Sequence, residues 1–403
     1  MPSNSGVRSD GVVPAAQHCP HGASLNILIG SNVHWWNAEA AYAATLAALL
    51  QDAGHKVWVL TCPDSLNAKN LQVRGLRTVT EIDLNSNNPL QWFRSYRQLL
   101  DFLKTHQIGL IHAHRSEGYP LLVLAKRKLR LPLVRTRGTA RPLQRSWLNQ
   151  KLYGDWTDAT IAVGEVVVQQ LRDTLDFPAG QLHVIYYPVD CPAEFNESGL
   201  RDYRAEFEIP SDHLVLAFVG RIRPEKGVRL LLEAFRQLLA EFPKLTLLLL
   251  YRDTPPEIPE MQAVQADLQR LGVAAHVRID AERKDIRNLM AFADVGIVSS
   301  IASEVICRVA VEFFSVGTPV VALPTGCLPE IIQDGENGAL ASTQSPEALA
   351  QALRSLLADA EHRAQLSRNA QREADTRFAP ERMLQATLAV YLQLGVEERS
   401  APN

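Results

Sequence analysis

Short apolar segments, each long enough for one β-strand, alternate with amphipathic segments along most of this chain of 403 residues. Parallel neighbouring strands need a crossover connection, usually a helix, whereas antiparallel strands are joined by short turns. The alternation therefore predicts an α/β fold with mostly parallel, doubly wound sheets that carry helices on both faces. The predicted strands cover 25–30, 56–62, 108–112, 133–136, 159–163, 214–219, 245–250, 277–279, 295–299 and 319–323.

The alternation stops between Pro188 and Pro210, where Pro, Glu, Asn, Ser and Gly dominate, and then starts again. We interpret this stretch as a linker between two α/β domains of similar size. In such sheets ligands bind in the crevice at the carboxyl ends of the strands, so we expect the chemistry there. The predicted division is a disordered tail at 1–24, a first domain at 25–190, a linker at 191–212, a second domain at 213–377 and a final helical segment at 378–403.

Composition excludes several protein classes, because the chain is 46% hydrophobic and 21% charged with a formal net charge of −3. These proportions are typical of globular proteins and differ from those of collagen, coiled coils and disordered chains. Apolar runs stay far below about 20 residues, the length of a membrane-spanning helix. The first 24 residues lack the apolar core of a secretory signal. We therefore expect a cytoplasmic protein.

Five cysteines are scattered along the chain without any Cys-x-x-Cys pair. An odd number of isolated cysteines fits free thiols in a reducing compartment better than a disulfide framework. His18, Cys19 and His21 lie close together, but their spacing matches no zinc-binding pattern. We therefore expect no metal site.

Nine basic residues and no acidic residue lie between Gly118 and Gly154. Such a segment attracts phosphates, anionic lipid headgroups or an acidic substrate, although a solvated charged face is the simpler alternative. Nucleic acid is disfavoured as a partner, because the net charge is negative and no nucleic-acid-binding motif accompanies the segment. The candidates for an acceptor-binding or membrane-facing surface are Arg127, Lys128, Arg130, Arg137 and Arg141.

A first candidate site is the segment 220–227, Gly-Arg-Ile-Arg-Pro-Glu-Lys-Gly, directly after a predicted strand. Gly220 allows a sharp turn, and Arg221 and Lys226 then precede the N-terminus of a predicted helix. Two cations beside the positive end of a helix dipole can hold a diphosphate. The segment is neither a Gly-x-Gly-x-x-Gly motif nor a Walker loop, and two surface cations beside a turn are the alternative.

A second candidate site contains Glu304, in a loop after a predicted strand, and Glu312, eight positions later in the next predicted helix. Eight residues of helix rise by about 12 Å, which is comparable to the reach of a nucleotide diphosphate sugar. Glu312 lies in an apolar stretch, and a buried carboxylate needs a partner such as a ribose hydroxyl. For Glu304, a structural capping role is the alternative.

In this order and spacing the segments resemble the retaining glycosyltransferases of group 1, also called family 4, which have the GT-B fold. The resemblance rests on 220–227, on the Glu-x7-Glu pair followed by Gly-Thr-Pro-Val-Val at 317–321, and on the segments 326–330 and 334–338. The first half is similar more loosely, through 54–57 and the segment 112–114. The resemblance implies two doubly wound domains that face a central cleft, and a last helix that crosses back to brace the first domain.

The resemblance also implies roles on the donor side of the cleft. Arg221 and Lys226, after Gly220, match the cations that neutralise the leaving diphosphate of a nucleotide sugar. Glu312 matches the glutamate that binds the ribose, and Glu304 matches the glutamate that faces the donor sugar. The family usually needs no metal ion, because the two cations and the helix end replace it, and the nucleotide sugar is a co-substrate rather than a cofactor.

Further roles concern the backbone and the acceptor side. The backbone N–H groups of Val305 and Ile306 match those that meet the sugar or phosphate. His114, and less clearly His112, matches the acceptor-side histidine near the reacting centre. For both histidines a structural role in the core is the alternative.

Two departures from the family pattern predict a subgroup with its own substrate. Val-Ile-Cys-Arg at 305–308 stands where the family often has Gly-Phe-Gly, and a Cβ at 305 restricts how closely the backbone approaches a sugar. Trp35 and Trp36 stand in the first turn, which is usually rich in glycine, where they either stack on a sugar or fill the cleft.

We therefore expect a glycosyltransferase that moves a sugar from a nucleotide diphosphate sugar to an acceptor hydroxyl with retention of configuration. The expected acceptor is an anionic or lipid-linked glycan of lipopolysaccharide or another cell-envelope polysaccharide, reached by peripheral contact with the inner face of an anionic membrane. The alternatives are a same-fold sugar-nucleotide epimerase or phosphorylase, and a non-catalytic protein that binds nucleotide sugars. A nicotinamide-dependent oxidoreductase is disfavoured, because no predicted strand is followed by Gly-x-Gly-x-x-Gly.

Overall fold

The computed structural model describes residues 24–86, 88–139, 141–189, 202–251, 258–281, 283–302 and 304–396. The predicted tail with His18, Cys19 and His21, and most of the predicted linker, lie outside these residues. The described cysteines Cys62, Cys307 and Cys327 are free thiols. Among the described residues, no helix combines the length and the apolar character that crossing a membrane requires.

The first half of the chain forms a sheet of seven parallel strands in the order β3-β2-β1-β4-β5-β6-β7. Strand β1 lies inside the sheet, and the later strands extend the sheet toward both edges. This is the predicted doubly wound topology. The strands are β1 (Asn26–Gly30), β2 (Lys56–Leu60), β3 (Arg77–Val79), β4 (Leu110–Ala113), β5 (Leu133–Arg137), β6 (Ala159–Ala162) and β7 (Leu182–Val184).

Helices connect these strands and cover the faces of the sheet. They are α1 (Ala38–Asp52), α2 (Leu66–Val73), α3 (Pro89–Thr105), α4 (Tyr119–Leu129), the short α5 (Trp147–Asn149) with the π-helical turn Gln150–Asp155, and α6 (Glu165–Thr174). The local sequence explains why α1 and α2 begin where they do. The side chains of Asn37 and Ser65 accept hydrogen bonds from the N–H groups of Ala40 and Ala68, at 3.0 and 2.9 Å.

The second half forms a sheet of six parallel strands in the order β10-β9-β8-β11-β12-β13. Its strands are β8 (Leu214–Gly220), β9 (Leu245–Tyr251), β10 (Val277–Asp280), β11 (Val295–Val298), β12 (Val320–Ala322) and β13 (Gly338–Leu340). Its helices are α7 (Tyr203–Glu206), α8 (Val228–Leu239), α9 (Pro259–Arg270), α10 (Ile286–Phe292), α11 (Arg308–Ser315), α12 (Leu328–Ile331), α13 (Pro346–Ala358) and α14 (Ala360–Thr376).

The last helix, α15 (Pro380–Gln393), belongs to the core of the first domain although it follows the second domain in the chain. Met383, Val390 and Tyr391 are buried in the same apolar cluster as Leu46 of α1. Phe378, two residues before α15, is instead buried in a cluster of the second domain. The chain therefore crosses back between these two positions, as predicted.

The sequence-based elements differ from the structure mainly in short segments. Strands β3, β7 and β13 contain three residues each, which is too short for a period of two to be recognised. Part of the predicted linker forms α7, whose Tyr203 is buried with Val215 of the second domain. Helix α10 begins at Ile286, directly after Asp285, whose carboxylate is bound by Arg283 at 2.8 Å.

Candidate active site

Strands β8 and β11 lie side by side in the middle of the second sheet, and both run toward the cleft. The loop 221–227 follows β8, and the loop that leads to α11 follows β11. Their backbones are tied together, because the Ile301 N–H donates to the Glu225 carbonyl at 2.9 Å. The Ser299 hydroxyl donates to the Lys226 carbonyl, also at 2.9 Å. This is the edge of the sheet at which ligands bind in folds of this kind.

The ammonium group of Lys226 forms an ion pair with the carboxylate of Glu304 across these two loops. Glu304 is buried, and its Oε1 also accepts a hydrogen bond from the Ser300 hydroxyl at 2.5 Å. Lys226 keeps a quarter of its side chain exposed. The sequence segments that predicted a diphosphate seat and a sugar-binding carboxylate thus form one charged cluster.

Two glycines allow the loops to approach this closely. Gly227 has a φ of +64°, and a Cβ there would lie 2.0 Å from the Ser299 carbonyl oxygen. Gly326 has a φ of +57°, and a Cβ there would lie 1.7 Å from the carbonyl oxygen of Glu304. Any side chain at either position would push a loop out of the site.

The turn predicted at Gly220 is made elsewhere. Gly220 is the last residue of β8 and pairs with Tyr251 in the sheet. The left-handed residue is Gly227, which directly precedes α8 and gives that helix no side-chain cap. The positive end of α8 therefore lies next to Lys226, as the proposed diphosphate seat requires.

Glu312 lies in α11 and is bound by the guanidinium of Arg308, one turn earlier, at 2.8 Å. The expectation of about 12 Å of helical rise between Glu304 and Glu312 is wrong, because α11 begins only at Arg308. Cys307, before it, has a φ of +43°, so the chain turns sharply between the two glutamates. Arg308 also lies over the ring of Tyr187, at 5.0 Å from its centroid.

Val305 and Ile306 contact the first domain rather than standing free in the cleft. Both pack against the apolar cluster that contains Tyr42 of α1. A Cβ at Gly138, after β5, would lie 3.4 Å from the Ile306 Cδ1 atom. The side chains of Val305 and Ile306, which stand where the family often has Gly-Phe, thus pack between the domains.

His112 and His114 occupy the carboxyl end of β4, with their rings stacked at 4.3 Å. The prediction that His112 contacts the acceptor is wrong, because this side chain is fully buried and both ring nitrogens are engaged by protein groups. Its Nδ1 lies 2.7 Å from the Tyr391 hydroxyl and its Nε2 lies 2.8 Å from the Thr136 hydroxyl. His112 therefore fastens α15 to the first sheet.

His114 is also buried, at 2% exposure, but neither of its ring nitrogens has a hydrogen-bond partner within the described part of the chain. Its ring lies 5.9 Å from that of Tyr42. Burial lowers the pKa of His114 to about 3, and burial together with the neighbouring His114 lowers the pKa of His112 well below its usual range. Both imidazoles are therefore neutral near neutral pH.

The candidate basic surface is only partly a surface. Arg127, Lys128, Arg130 and Arg141 are exposed, whereas Arg137 is 4% exposed and cannot face a membrane. The segment contains no acidic residue, but acidic residues that follow it in the chain pair with two of its lysines in the folded structure. Lys126 pairs with Asp158 at 2.7 Å and Lys151 with Asp155 at 2.5 Å.

Arg221 is exposed and has no ion-pair partner among the described residues. No group of three or more His, Cys, Asp or Glu side chains within the described ranges is arranged to hold a metal ion. Arg221, Lys226, Glu304 and Glu312, the charged residues predicted to bind the donor, all follow strands β8 and β11 in the second domain.

Two family models match the sequence. Residues 201–373 match "Glycosyl transferases group 1", and residues 40–192 match "Glycosyltransferase Family 4". D-inositol 3-phosphate glycosyltransferase 2 of Catenulispora acidiphila is 30% identical over 302 residues, which cover 70% of this chain and 70% of that one. The chain belongs to the group 1 and family 4 glycosyltransferases.

Another relative of this chain is spore coat protein SA of Bacillus subtilis, 26% identical over 246 residues. That match covers 57% of this chain and 64% of the relative, so the chain spans just under two thirds of its length.

Solved structures show that the chain has the GT-B fold. A glycosyltransferase from Rickettsia africae superposes with a TM-score of 0.83 at 19% identity, over 92% of this chain and 98% of that one. HepE of Anabaena, in complex with UDP and glucose, superposes with a TM-score of 0.77 at 22% identity, over 92% and 100%. WaaG, a glycosyltransferase involved in lipopolysaccharide biosynthesis, gives 0.62 at 17% identity, over 91% and 99%.

Sequence reasoning missed one contact between the two domains. The carboxylate of Glu330, in α12, accepts hydrogen bonds from the backbone N–H groups of Glu165 and Val166, each at 2.6 Å. These groups form the first turn of α6 in the other domain, where a negative charge is favourable. The Pro-Glu pair at 329–330 belonged to the family pattern, but its partner lies 164 positions away.

Proposed function

We propose that this protein transfers a sugar from a nucleotide diphosphate sugar to an acceptor hydroxyl with retention of configuration. The observation that carries the proposal is the Lys226–Glu304 pair at the carboxyl ends of β8 and β11. It lies beside the uncapped N-terminus of α8. HepE, which shares the fold, has been solved with UDP and glucose. The D-inositol 3-phosphate glycosyltransferases among the relatives are named for sugar transfer.

The cations serve the leaving group. Breaking the bond between the sugar C1 and the phosphate oxygen leaves the electron pair on the diphosphate, which needs charge stabilisation. Arg221, Lys226 and the N-terminus of α8 supply that stabilisation, so we propose that no metal ion is required. The acceptor oxygen bonds to C1 on the face that the diphosphate leaves, and the acceptor proton passes to the departing phosphate oxygen.

The carboxylates position the donor. Glu304 is buried and already accepts a hydrogen bond from Ser300, so it is held in place when sugar hydroxyls reach it. Glu312 is held by Arg308 at 2.8 Å and offers its remaining lone pairs to the ribose hydroxyls. Both positions are buried or half-buried, where a hydrogen bond to a charged group contributes more than it does in water.

His114 faces the reaction from the first domain. Ile306 of the donor loop belongs to the apolar cluster of Tyr42, and the Tyr42 ring lies 5.9 Å from His114. Because its pKa is about 3, His114 is neutral and acts as a hydrogen-bonding group rather than as a general acid. Neither ring nitrogen has a hydrogen-bond partner in the described part of the chain, and one of them binds a substrate hydroxyl and positions the sugar at the reacting centre.

The exposed basic residues Arg127, Lys128 and Arg130 face the acceptor or the membrane that carries it. They lie at the C-terminal end of α4. Trp147 and Leu148, later in the same basic segment, are 71% and 54% exposed. Exposed aromatic and basic side chains together favour an anionic lipid surface. We therefore propose an acceptor of the cell envelope, as in lipopolysaccharide synthesis, the process in which the structurally similar WaaG is involved.

The test begins with thermal stabilisation by UDP-, GDP- and ADP-sugars, with the free nucleotides as controls. A ligand at a hundredfold excess over its dissociation constant adds about 2.7 kcal/mol, which is readily measured. The donor so identified is then incubated with candidate acceptors, with and without a chelator. Release of the nucleotide diphosphate that depends on the acceptor, with the product anomer matching the donor, supports the proposal.

Other outcomes decide for the alternatives. Turnover that needs inorganic phosphate indicates a phosphorylase, turnover without acceptor indicates an epimerase, and donor binding without turnover indicates a non-catalytic binding protein. Lys226→Gln should abolish stabilisation by the donor. Lys244→Gln is the matched control, because Lys244 is 67% exposed and pairs only with Asp212 in the described structure.

A further inference from the structure

Two arginines are buried at the carboxyl end of β5, in the domain opposite the donor loops. Arg135 and Arg137 are 3% and 4% exposed. They are two positions apart on one strand, so their side chains leave the same face of the sheet. Thr136 between them points the other way, to His112. Two charged groups on one buried face are rare unless something pairs them.

The guanidinium groups have few partners. Arg135 Nη2 donates to the Ser116 hydroxyl at 3.0 Å, while its Nε and Nη1 have no acceptor among the described residues. Its charge lies against the rings of Tyr153 and Tyr119, at 4.0 and 4.4 Å from their centroids. Arg137 Nη2 donates to the Arg141 carbonyl, and its Nε has no acceptor within the described ranges.

The carboxylates that could neutralise this pair are already committed. Glu39 and Glu117 both form ion pairs with Arg115, which follows His114 in the chain. Burial and the positive charges of Arg135 and Arg115 lower the pKa of Arg137 to about 10, so it stays charged near neutral pH. The end of β5 therefore carries a buried positive charge without a protein counter-charge in the described structure, which is costly unless an anion is bound.

This charge lies at the cleft. Arg137 is the last residue of β5, and the next residue, Gly138, donates its N–H to Glu39 at 3.2 Å. A Cβ at Gly138 would lie 3.4 Å from Ile306 Cδ1, so the end of β5 is close to the loop before α11. An anion held by the arginines would therefore lie at the carboxyl end of β5, on the face of the strand opposite Thr136 and His112.

We propose that Arg135 and Arg137 bind an oxyanion, a phosphate or a carboxylate, that the acceptor carries away from its reacting hydroxyl. The identification of the bound molecule as the acceptor rests on the proposed function, whereas the anion site itself does not. The planar guanidinium presents parallel N–H donors that match both oxyanions. By binding this anion, the two arginines select the acceptor and hold it while the domains bring the donor to it.

The test is calorimetric titration of the full chain with inorganic phosphate, with glucuronate and with neutral glucose. Saturating UDP is present, so that the diphosphate seat at Arg221 and Lys226 is filled. We expect saturable binding of phosphate or glucuronate, but not of glucose. The tighter ligand of the two shows whether the site prefers a phosphate or a carboxylate. Arg137→Gln should weaken binding by about tenfold or more, as expected for a charge-assisted hydrogen-bonding partner.

Two further variants separate recognition from folding and from overall charge. Arg137→Lys keeps the charge without the fork, so it should bind with an affinity between those of wild type and Arg137→Gln. Arg145→Gln removes an exposed charge of the same basic segment and should bind as wild type does. Without bound anion, Arg137→Gln should melt no lower than wild type, because it removes a buried unpaired charge.

The results that overturn the inference are distinct from failure of the proposed function. Absence of anion binding in wild type, or equal loss in Arg137→Gln and Arg145→Gln, overturns the anion site. If UDP itself does not bind, the proposed function fails. The titration is then repeated in the Lys226→Gln background, where anion binding that depends on Arg137 still supports the site at β5.

Discussion

Lys226 and Glu304, 78 positions apart in the chain, neutralise each other at the mouth of the second sheet. The lysine belongs to the loop proposed to hold the diphosphate, and the glutamate to the loop proposed to hold the sugar. In this pair Glu304 occupies the place of the diphosphate beside Lys226, and Lys226 occupies the place of the sugar beside Glu304. A donor has to replace this ion pair with its own charges and hydroxyls, so the site is kept assembled before the donor arrives.

Glu304→Gln should separate nucleotide binding from transfer. The substitution removes the counter-charge of Lys226, which is then free for the diphosphate, so the affinity for the free nucleotide should stay equal or rise by up to about fivefold. Transfer should fall by about a hundredfold or more, because the charge that orients the sugar is gone. Calorimetry with the nucleotide and a turnover assay check both effects.

The matched control for this variant is Glu241→Gln, at an exposed ion pair with Arg354 (2.7 Å). It should leave both nucleotide binding and turnover unchanged. Unchanged turnover in Glu304→Gln would remove the proposed role of this carboxylate.

Arg221→Gln should weaken donor binding without weakening the fold. Arg221 is exposed and has no ion-pair partner in the described structure, so its loss should change the free energy of unfolding by less than about 0.5 kcal/mol. The affinity for the nucleotide diphosphate should fall by about tenfold to a hundredfold. Arg223→Gln, an exposed arginine in the same loop, is the control. Equal effects of the two variants would indicate only general electrostatic attraction.

Acid should destabilise the protein through its buried histidines. Burial lowers the pKa of His114 to about 3, and the unfolded chain binds a proton there near its ordinary pKa of 6.5. The unfolded state therefore takes up protons below that pH that the folded state does not. The free energy of unfolding should fall by about 1.4 kcal/mol per pH unit for this group as pH decreases from 6.5 toward 3.

Denaturant unfolding at a series of pH values measures this slope, to which His112 contributes in the same direction. His114→Gln should remove its own share of the slope. His34→Gln, at an exposed histidine, should retain the full slope. A wild-type stability that does not change between about pH 6.5 and 4.5 would contradict the burial of both neutral rings.

Glu330→Gln should loosen the contact between the two domains. The variant loses the charge that accepts hydrogen bonds from the first turn of α6 and should lower the free energy of unfolding by about 1–2 kcal/mol. Hydrogen exchange at the amides of Glu165 and Val166 should accelerate, while amides in β8 keep their protection. Glu361→Gln, in the exposed first turn of α14, is the control. Unchanged exchange at Glu165 and Val166 would show that this contact does not hold the domains.

Neutralising the exposed end of α4 should weaken membrane binding. The triple variant Arg127→Gln, Lys128→Gln, Arg130→Gln should lose about 1 kcal/mol of vesicle affinity per charge on anionic vesicles, and salt should weaken wild type in the same way. Vesicle sedimentation measures both. Neutral vesicles are the lipid control, and Lys244→Gln is the protein control. Binding that ignores salt and the triple variant alike would refute the proposed surface.

Local sequence is enough to predict which loops lie together at the proposed donor site. Apolar runs identify β8 and β11 as buried strands, and parallel strands end at one edge, so Lys226 and Glu304 are expected on the same side of the sheet. The sequence does not show that they pair, because the pairing depends on Gly227 and Gly326 letting the loops approach.

Contacts between distant segments are where sequence reasoning fails. A period of two places His112 and His114 on one face of β4, yet their environments differ because Tyr391 reaches only His112. Arg135 and Arg137 look like members of one charged run, and their burial follows from their position in β5, an interior strand of the sheet. The partner of Glu330 is in the other domain, which no local pattern encodes.

The return of α15 to the first sheet affects how the protein is made. Synthesis proceeds from the N-terminus, and domains generally begin to fold as they emerge from the ribosome. Here the domain synthesised first lacks Met383, Val390 and Tyr391 of its core until the second domain has been translated. It must therefore wait, incompletely packed, while the second domain is translated. A premature stop shortly before residue 380 would consequently damage the end of the molecule that was made first.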